Sequence, residues 1–197
     1  MTRIDPVNKV AGVLLAGGAS SRYGSNKAFA PLGDSRLIEY PARVLAELFE
    51  TVLLITNTPA EYAFLGWPMT GDKFTNAGPL AGIHAALSTL TVPSIFVAGC
   101  DMPFLDPKLI RYLCTLAPNK DVIIPRTSQG FEPLHAVYRQ SCLPVLTDHL
   151  TRNNRAVTRV LADLTVREVS EVEIIGIAGN LESFRNINRP EDLPGKP

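Results

Sequence analysis

The stretch that most constrains this chain is Val10 to Lys27, reading V-A-G-V-L-L-A-G-G-A-S-S-R-Y-G-S-N-K. A continuous apolar run, Val10–Leu15, ends abruptly in the pair Gly17-Gly18. Such a run closed by glycine predicts a buried parallel strand. The polar loop behind it carries Arg22, Gly24 and Lys27. Glycines let backbone N–H groups approach a ligand, and successive N–H groups in such a turn make an anion-binding nest. Arg22 and Lys27 add positive charge where a nucleotide places its phosphates. The stretch therefore reads as a phosphate-binding turn at the carboxyl end of a first strand, the alternative being a plain strand-to-helix turn.

Three other readings fit less well. A Walker A loop ends in Gly-Lys-Ser/Thr, whereas Ser25 follows Gly24 here and Lys27 follows Asn26. The spacing of Gly17, Gly18 and Gly24 is not the G-x-G-x-x-G of a dinucleotide fold. A secretory signal is disfavoured by the short run, its internal glycines and Asp5 in its flank.

Strand and helix patterns then alternate. Leu37–Leu48 has helical periodicity, with Leu37, Tyr40, Val44, Leu45 and Leu48 on one stripe. Val52–Thr56 is a second strand, with Asn57 at its carboxyl end, where a turn residue is the simplest reading. Ala60–Leu65 fits a short helix and Trp67–Gly71 a short edge strand. Gly78-Pro79 opens a helix running to about Leu90, because proline is preorganised for the first turn. Gly82 within it either admits a close neighbour or simply packs. Ser94–Ala98 is another buried strand, followed by G-C-D-M-P-F.

Asp101 thus falls just past a strand's carboxyl end, where open α/β sheets bind ligands. A carboxylate there suits Mg²⁺, which keeps waters and substrate phosphates as ligands; a turn aspartate is the alternative. Asp106 fits a capping role better, in front of a helix over Pro107–Leu116. Asp121–Pro125 and Phe131–Tyr138 read as strands joined by Ser128-Gln129-Gly130, hence antiparallel neighbours. Gln140–His149 and Val157–Leu164 read as helices, with Thr151–Arg155 a solvated loop or part of a second binding site. Val166–Val169 and Glu173–Ile177 carry strand-like patches. The expected architecture is a single α/β domain over residues 1–197 with a largely parallel sheet.

Composition narrows the function classes. Of 197 residues, 46% are hydrophobic, enough for a sizeable core, and the formal net charge is zero. Zero charge gives no electrostatic case for nucleic acid or an anionic membrane. No apolar run approaches the roughly 20 residues a bilayer span requires. Cys100, Cys114 and Cys142 are odd in number and far apart, suggesting neither a disulfide framework nor a zinc site. A reducing cytoplasm is the expected compartment. His84, His135 and His149 show no metal-ligand spacing.

The motif L-A-G-G-x-S-x-R-(M/Y/F)-G-x-x-K resembles the signature of nucleotidyltransferases related to the nucleotide-diphospho-sugar transferases. Within them the chain most resembles the molybdenum cofactor guanylyltransferases. The resemblance runs in order through Leu15–Lys27, Asn57, Asp72, Gly78–Ile83, Asp101-Met102-Pro103, Glu132-Pro133-Leu134 and Asn186–Leu193. Departures are Tyr23 for the commoner methionine, Asn26 where aspartate often precedes the lysine, and Arg189 for threonine.

The resemblance implies a Rossmann-like three-layer sandwich whose mostly parallel sheet carries one reversed strand. It implies GMP transfer from GTP to the phosphate of molybdopterin or molybdenum-molybdopterin, with Mg²⁺ as cofactor and pyrophosphate released. Leu15, Ala16, Gly17 and Gly18 then contact the nucleotide through the backbone. Lys27 and Arg22 handle phosphate charge, Asn57 and Asp72 lie near the nucleoside, and Asp101 holds the metal. Asn186 and Asn188 lie near the acceptor's pterin. Gly17, where CTP- and UTP-using relatives more often have alanine, points to the guanine branch. Other cofactor-biosynthesis proteins and apo-molybdoenzymes are the implied partners, without nucleic acid or membrane. Two alternatives stay open: a related transferase using CTP, or an acceptor such as a sugar phosphate or cobinamide phosphate. A nucleotide-binding protein without chemistry is a third.

Overall fold

The computed structural model describes residues 9–17, 26–74, 77–116, 120–188 and 192. Gly18, Arg22 and Gly24 lie outside them. In chain order the strands are β1 (Val10–Leu15), β2 (Pro31–Leu32), β3 (Ser35–Arg36), β4 (Val52–Ile55), β5 (Met69–Thr70), β6 (Ser94–Gly99), β7 (Val122–Thr127), β8 (Gly130–Phe131), β9 (His135–Arg139) and β10 (Val166–Ser170). The helices are α1 (Glu39–Leu48), α2 (Pro79–Thr89), α3 (Pro107–Thr115), α4 (Cys142–Thr151), α5 (Val157–Ala162) and α6 (Glu171–Ala178). Short 3₁₀ segments span Lys27–Phe29, Pro59–Leu65 and Glu182–Phe184.

The main sheet runs β10-β7-β9-β6-β1-β4-β5, with β8 appended to β7. β1 pairs in parallel with β4 and β6, β4 with β5, and β7 with β10. Only β9 within this path is reversed, antiparallel to both β6 and β7. This is the mostly parallel sheet with one reversed strand that the family resemblance implies.

Alternation along β1 sorts its side chains into two cores, as period two requires. Ala11, Val13 and Leu15 join the side of α2 and α4, with Leu80, Ile83 and Leu146. Leu14 and Ala16 join the side of α1 and α3, with Leu45, Leu109 and Leu113. Two glycines give these layers their close contacts. A Cβ at Gly12 would stand 2.6 Å from the Phe49 ring, and one at Gly82 3.0 Å from Leu15. Gly82 therefore admits a close neighbour.

Two expectations are corrected. Glu173–Ile177 is not a strand but the body of α6. Its cause lies just upstream: the Ser170 side chain accepts from the Glu173 N–H, acidic residues fill the first turn, and Gly179 closes the helix in the left-handed region. Ser170 and Glu173 have the S-x-x-E spacing of a capping box, which outweighs the β-branched content. Phe131–Tyr138 is not one strand but β8 and β9, separated by Glu132–Leu134. Pro133 has no N–H to give a ladder there. The hairpin β2–β3 had no counterpart in the sequence reading. Asp106 caps α3 as expected, accepting from the N–H groups of Lys108 and Leu109. The three cysteines are free thiols, and no helix among the described residues is long and apolar enough to cross a membrane.

His135, at the start of β9, is fully buried between the rings of Phe96 and Phe184, with centroids 5.2 and 4.8 Å away. Neither ring nitrogen has a hydrogen-bond partner among the described residues. Burial lowers its pKa from 6.5 to about 3. The folded protein refuses a proton that the unfolded chain accepts below pH 6.5, so stability falls as pH drops from there toward about 3. His84, lowered by burial and by Lys73, acts in the same sense. Chemical denaturation between pH 6.5 and 5 is expected to show stability declining with acid, and His135→Leu to flatten the slope. An unchanged slope would show that His135 does not carry this proton.

Candidate functional site

In the sheet, β1 lies between β4 and β6, so the chain winds outward from β1 in both directions. The gap between β1 and β6 is a topological switch point, and the crevice beyond the strands' carboxyl ends is where such sheets bind ligands. Gly17 follows β1 on this rim, Asn57 follows β4, Asp72 follows β5 and Asp101 follows β6. The reversal of β9 brings Glu132–Leu134, which precede it, to the same rim.

Lys27 and Asp101 meet here. Lys27 Nζ lies 2.6 Å from Asp101 Oδ2 and donates to Asn188 Oδ1 at 3.0 Å. The two charged side chains retain 23% and 16% of their accessible surface, so they are shielded yet reachable. Local structure fixes each. Asn26 caps the Lys27–Phe29 turn through the Ala28 N–H, while its amide donates to Glu61 and to the Tyr62 hydroxyl, both at 2.9 Å. Backbone bonds from Ile38 to Ala28 and from Leu37 to Ala30 fasten the turn to the start of α1. Asp101 follows Gly99 and Cys100; a Cβ at Gly99 would stand 2.6 Å from Asp101 Oδ1 and 3.4 Å from Leu134. The Ile187 N–H donates to the Asp101 carbonyl at 2.9 Å. Ile187 is fully buried with Leu32 and Leu37, while its neighbours Asn186 and Asn188 are exposed and Asn188 reaches Lys27.

A second pair lies at the edge-strand end of the rim. Asn57 Nδ2 donates to Asp72 Oδ1 at 3.2 Å, and the Asp72 N–H donates to Asn57 Oδ1 at 3.1 Å. Of the residues after β1, the Ala16 N–H is held by the Ile55 carbonyl, and the Leu15 carbonyl accepts from Cys100. Gly17 is exposed, and a Cβ there would meet nothing within 4 Å among the described residues.

The structure thus brings Lys27, Asp101 and Asn188 into one cluster and Asn57 with Asp72 into another on the same rim. Asn26 and Gly99 were not singled out as site residues in the sequence. The first was legible in principle, because asparagine before a turn is a capping signal. Cys100 beside Asp101 is no nucleophile: burial, reinforced by the Asp101 charge, pushes its thiol up to about 12. Burial also lifts the Glu132 carboxyl above the usual range, although the Thr127 hydroxyl bonds to it and lowers it.

Among the described residues no cluster of three His, Cys, Asp or Glu side chains could form a complete metal cage. A single carboxylate with an ammonium against it suits a cation that arrives with its own phosphate ligands. The arrangement can hold an anion chain on Lys27 and a hard cation on Asp101.

The sequence pattern of the MobA-like NTP transferase domain matches residues 12–169. The chain is similar to a molybdenum cofactor guanylyltransferase of Desulfosudis oleivorans, 35% identical over 95% of this chain and 94% of that one. A probable molybdenum cofactor guanylyltransferase of Pelotomaculum thermopropionicum is also 35% identical, over 94% and 90%. Among solved structures, molybdopterin-guanine dinucleotide biosynthesis protein A of Archaeoglobus fulgidus superposes with a TM-score of 0.81 at 27% identity, covering 92% of this chain and 94% of that one. The 2-C-methyl-D-erythritol 4-phosphate cytidylyltransferase of Thermus thermophilus shares the fold, with a TM-score of 0.66 at 15% identity over 91% and 93%.

The shielding of the Lys27–Asp101 pair generates a prediction independent of any ligand. A double-mutant cycle with Lys27→Met and Asp101→Asn in urea is expected to give a favourable coupling of about 1 kcal/mol, the upper range for partly exposed pairs. A coupling near zero would mean that the two charges do not hold each other in the ligand-free protein.

Proposed function

The chain belongs to the MobA-like NTP transferase family, and from that premise we propose that it is a guanylyltransferase that joins GMP from GTP to molybdopterin. The observation that carries this reading is the Lys27–Asp101–Asn188 cluster at the switch point between β1 and β6. The Lys27 ammonium bonds both the Asp101 carboxylate and the Asn188 amide, which supports roles for the three in holding phosphate, metal and acceptor respectively.

The reaction is an in-line displacement. An oxygen of the terminal phosphate of molybdopterin attacks the α-phosphorus of GTP. The bond to that oxygen forms as the bond to the bridging oxygen of the β-phosphate breaks, and pyrophosphate leaves. No covalent enzyme intermediate is required, which accords with the inert Cys100. Catalysis then rests on positioning and charge neutralisation.

Lys27 exchanges Asp101 for the α-phosphate and neutralises charge as the phosphorus becomes five-coordinate. Asp101 is the residue that would hold Mg²⁺, which when bound supplies charge neutralisation on the phosphate oxygens. Arg22, outside the described residues, is assigned to the leaving pyrophosphate, and Gly17 and Gly18 to backbone contacts with the nucleotide, alongside Leu15 and Ala16. Asp72, held by Asn57, accepts from the guanine edge or the ribose hydroxyls. Asn186 and Asn188 offer uncharged amides to the mixed donor and acceptor edge of the pterin.

Purified protein with GTP, Mg²⁺ and molybdopterin is expected to release pyrophosphate and form the dinucleotide. Asp101→Asn and Lys27→Ala are each expected to lower turnover by a factor of about 100 or more, with the unfolding transition retained, as for loss of a group acting on developing charge. Turnover with CTP in place of GTP would overturn the guanine assignment. Transfer to a sugar phosphate or cobinamide phosphate but not to molybdopterin would overturn the acceptor.

A further inference from the structure

We infer that Gly71 is a positioning residue for nucleoside recognition: its missing side chain is the space in which Asn57 grips Asp72. The inference rests on the reading above that Asp72 faces the nucleoside. It concerns a residue that touches neither nucleotide nor metal in that reading.

Gly71 follows β5, the short edge strand held to β4 by the register Ile55↔Thr70 and by the Thr56 N–H to the Thr70 carbonyl at 2.9 Å. Its φ is not in the left-handed region where Gly33, Gly66, Gly78, Gly130 and Gly179 sit. The backbone there would accept any residue, so conformation does not call for glycine. Space does. A Cβ at Gly71 would stand 2.6 Å from Asn57 Oδ1, nearer than such atoms approach, with the Thr56 carbonyl next at 3.6 Å. Asn57 Oδ1 is the atom that accepts the Asp72 N–H.

The consequence is specific. Asn57 is exposed and its side chain can swing away, so a methyl group at position 71 displaces Asn57 rather than the sheet. Both bonds of the reciprocal pair are then lost together, because they share one amide. Asp72 loses the partner on its Oδ1, and its other oxygen is no longer held in one direction. Among the described residues that other oxygen has no hydrogen-bond partner, and it is the atom free to accept from a ligand.

The test uses the full chain with Gly71→Ala, Asn57→Ala and the double variant. Binding of GTP with Mg²⁺ is measured by calorimetry, turnover by pyrophosphate release, and folding by thermal unfolding. Gly71→Ala is expected to weaken GTP about tenfold, the scale of losing hydrogen bonds to a charged group. KM should rise while kcat and the unfolding midpoint stay near those of the parent. The double variant should bind no more weakly than Asn57→Ala alone, since the second change removes what the first has already lost. Parent-like binding by Gly71→Ala alongside weak binding by Asn57→Ala would overturn the inference and leave the nucleoside reading standing. Additive losses in the double variant would overturn it equally. If Asn57→Ala and Asp72→Asn both bound GTP like the parent, the nucleoside reading itself would fail, and the inference with it.

Discussion

A single ion pair joins the parts of this molecule that sequence keeps apart. Lys27 and Asp101 are 74 positions apart, yet Lys27 Nζ lies 2.6 Å from the carboxylate and the same ammonium also binds Asn188. Three segments therefore converge on one cation: the turn after the first loop, the end of β6, and the carboxyl-terminal stretch around Ile187. An attraction of this kind, between partly shielded charges, contributes little to stability. Its worth is positional. It keeps an ammonium and a carboxylate in one place, and in the proposed reaction a polyphosphate and its cation would offer each a new partner.

The frame around the pair is built by close approach. Gly12 and Gly82 let Phe49 and Leu15 pack where a methyl group would collide, which brings α1 and α2 tightly onto β1. Gly99 and Gly71 repeat the device at the rim, clearing space beside Asp101 and Asn57. The same residue type thus serves the core and the site for one reason, absence of a side chain. Parallel pairing of β1, β4, β5 and β6 delivers Gly17, Asn57, Asp72 and Asp101 to one edge without any long loop.

Much of this was legible in the sequence. The buried strands β1, β4 and β6 announced themselves as apolar runs ending in glycine or a polar residue, and Asp106 and Pro79 marked the starts of α3 and α2. The candidate site residues were proposed only through the ordered family motifs, since a lone Asn57 reads as a turn and a lone Asp101 as either turn or ligand. The failures have physical causes. Glu171–Ala178 has the β-branched content of a strand, and the helix is decided by end chemistry at Ser170 and Gly179. The β8–β9 break is a matter of one proline. The meeting of Lys27 with Asn188, and the contact of Gly71 with Asn57, depend on tertiary folding that no local pattern encodes.

The central claim is that Lys27 moves from carboxylate to phosphate when the nucleotide arrives. A crystal structure with a non-hydrolysable GTP analogue and Mg²⁺ measures it directly. The account predicts Lys27 Nζ on an α-phosphate oxygen, Asp101 on the metal, and the guanosine against Asp72. A nucleotide bound away from this rim, or Lys27 still paired with Asp101 beneath a bound triphosphate, would contradict it.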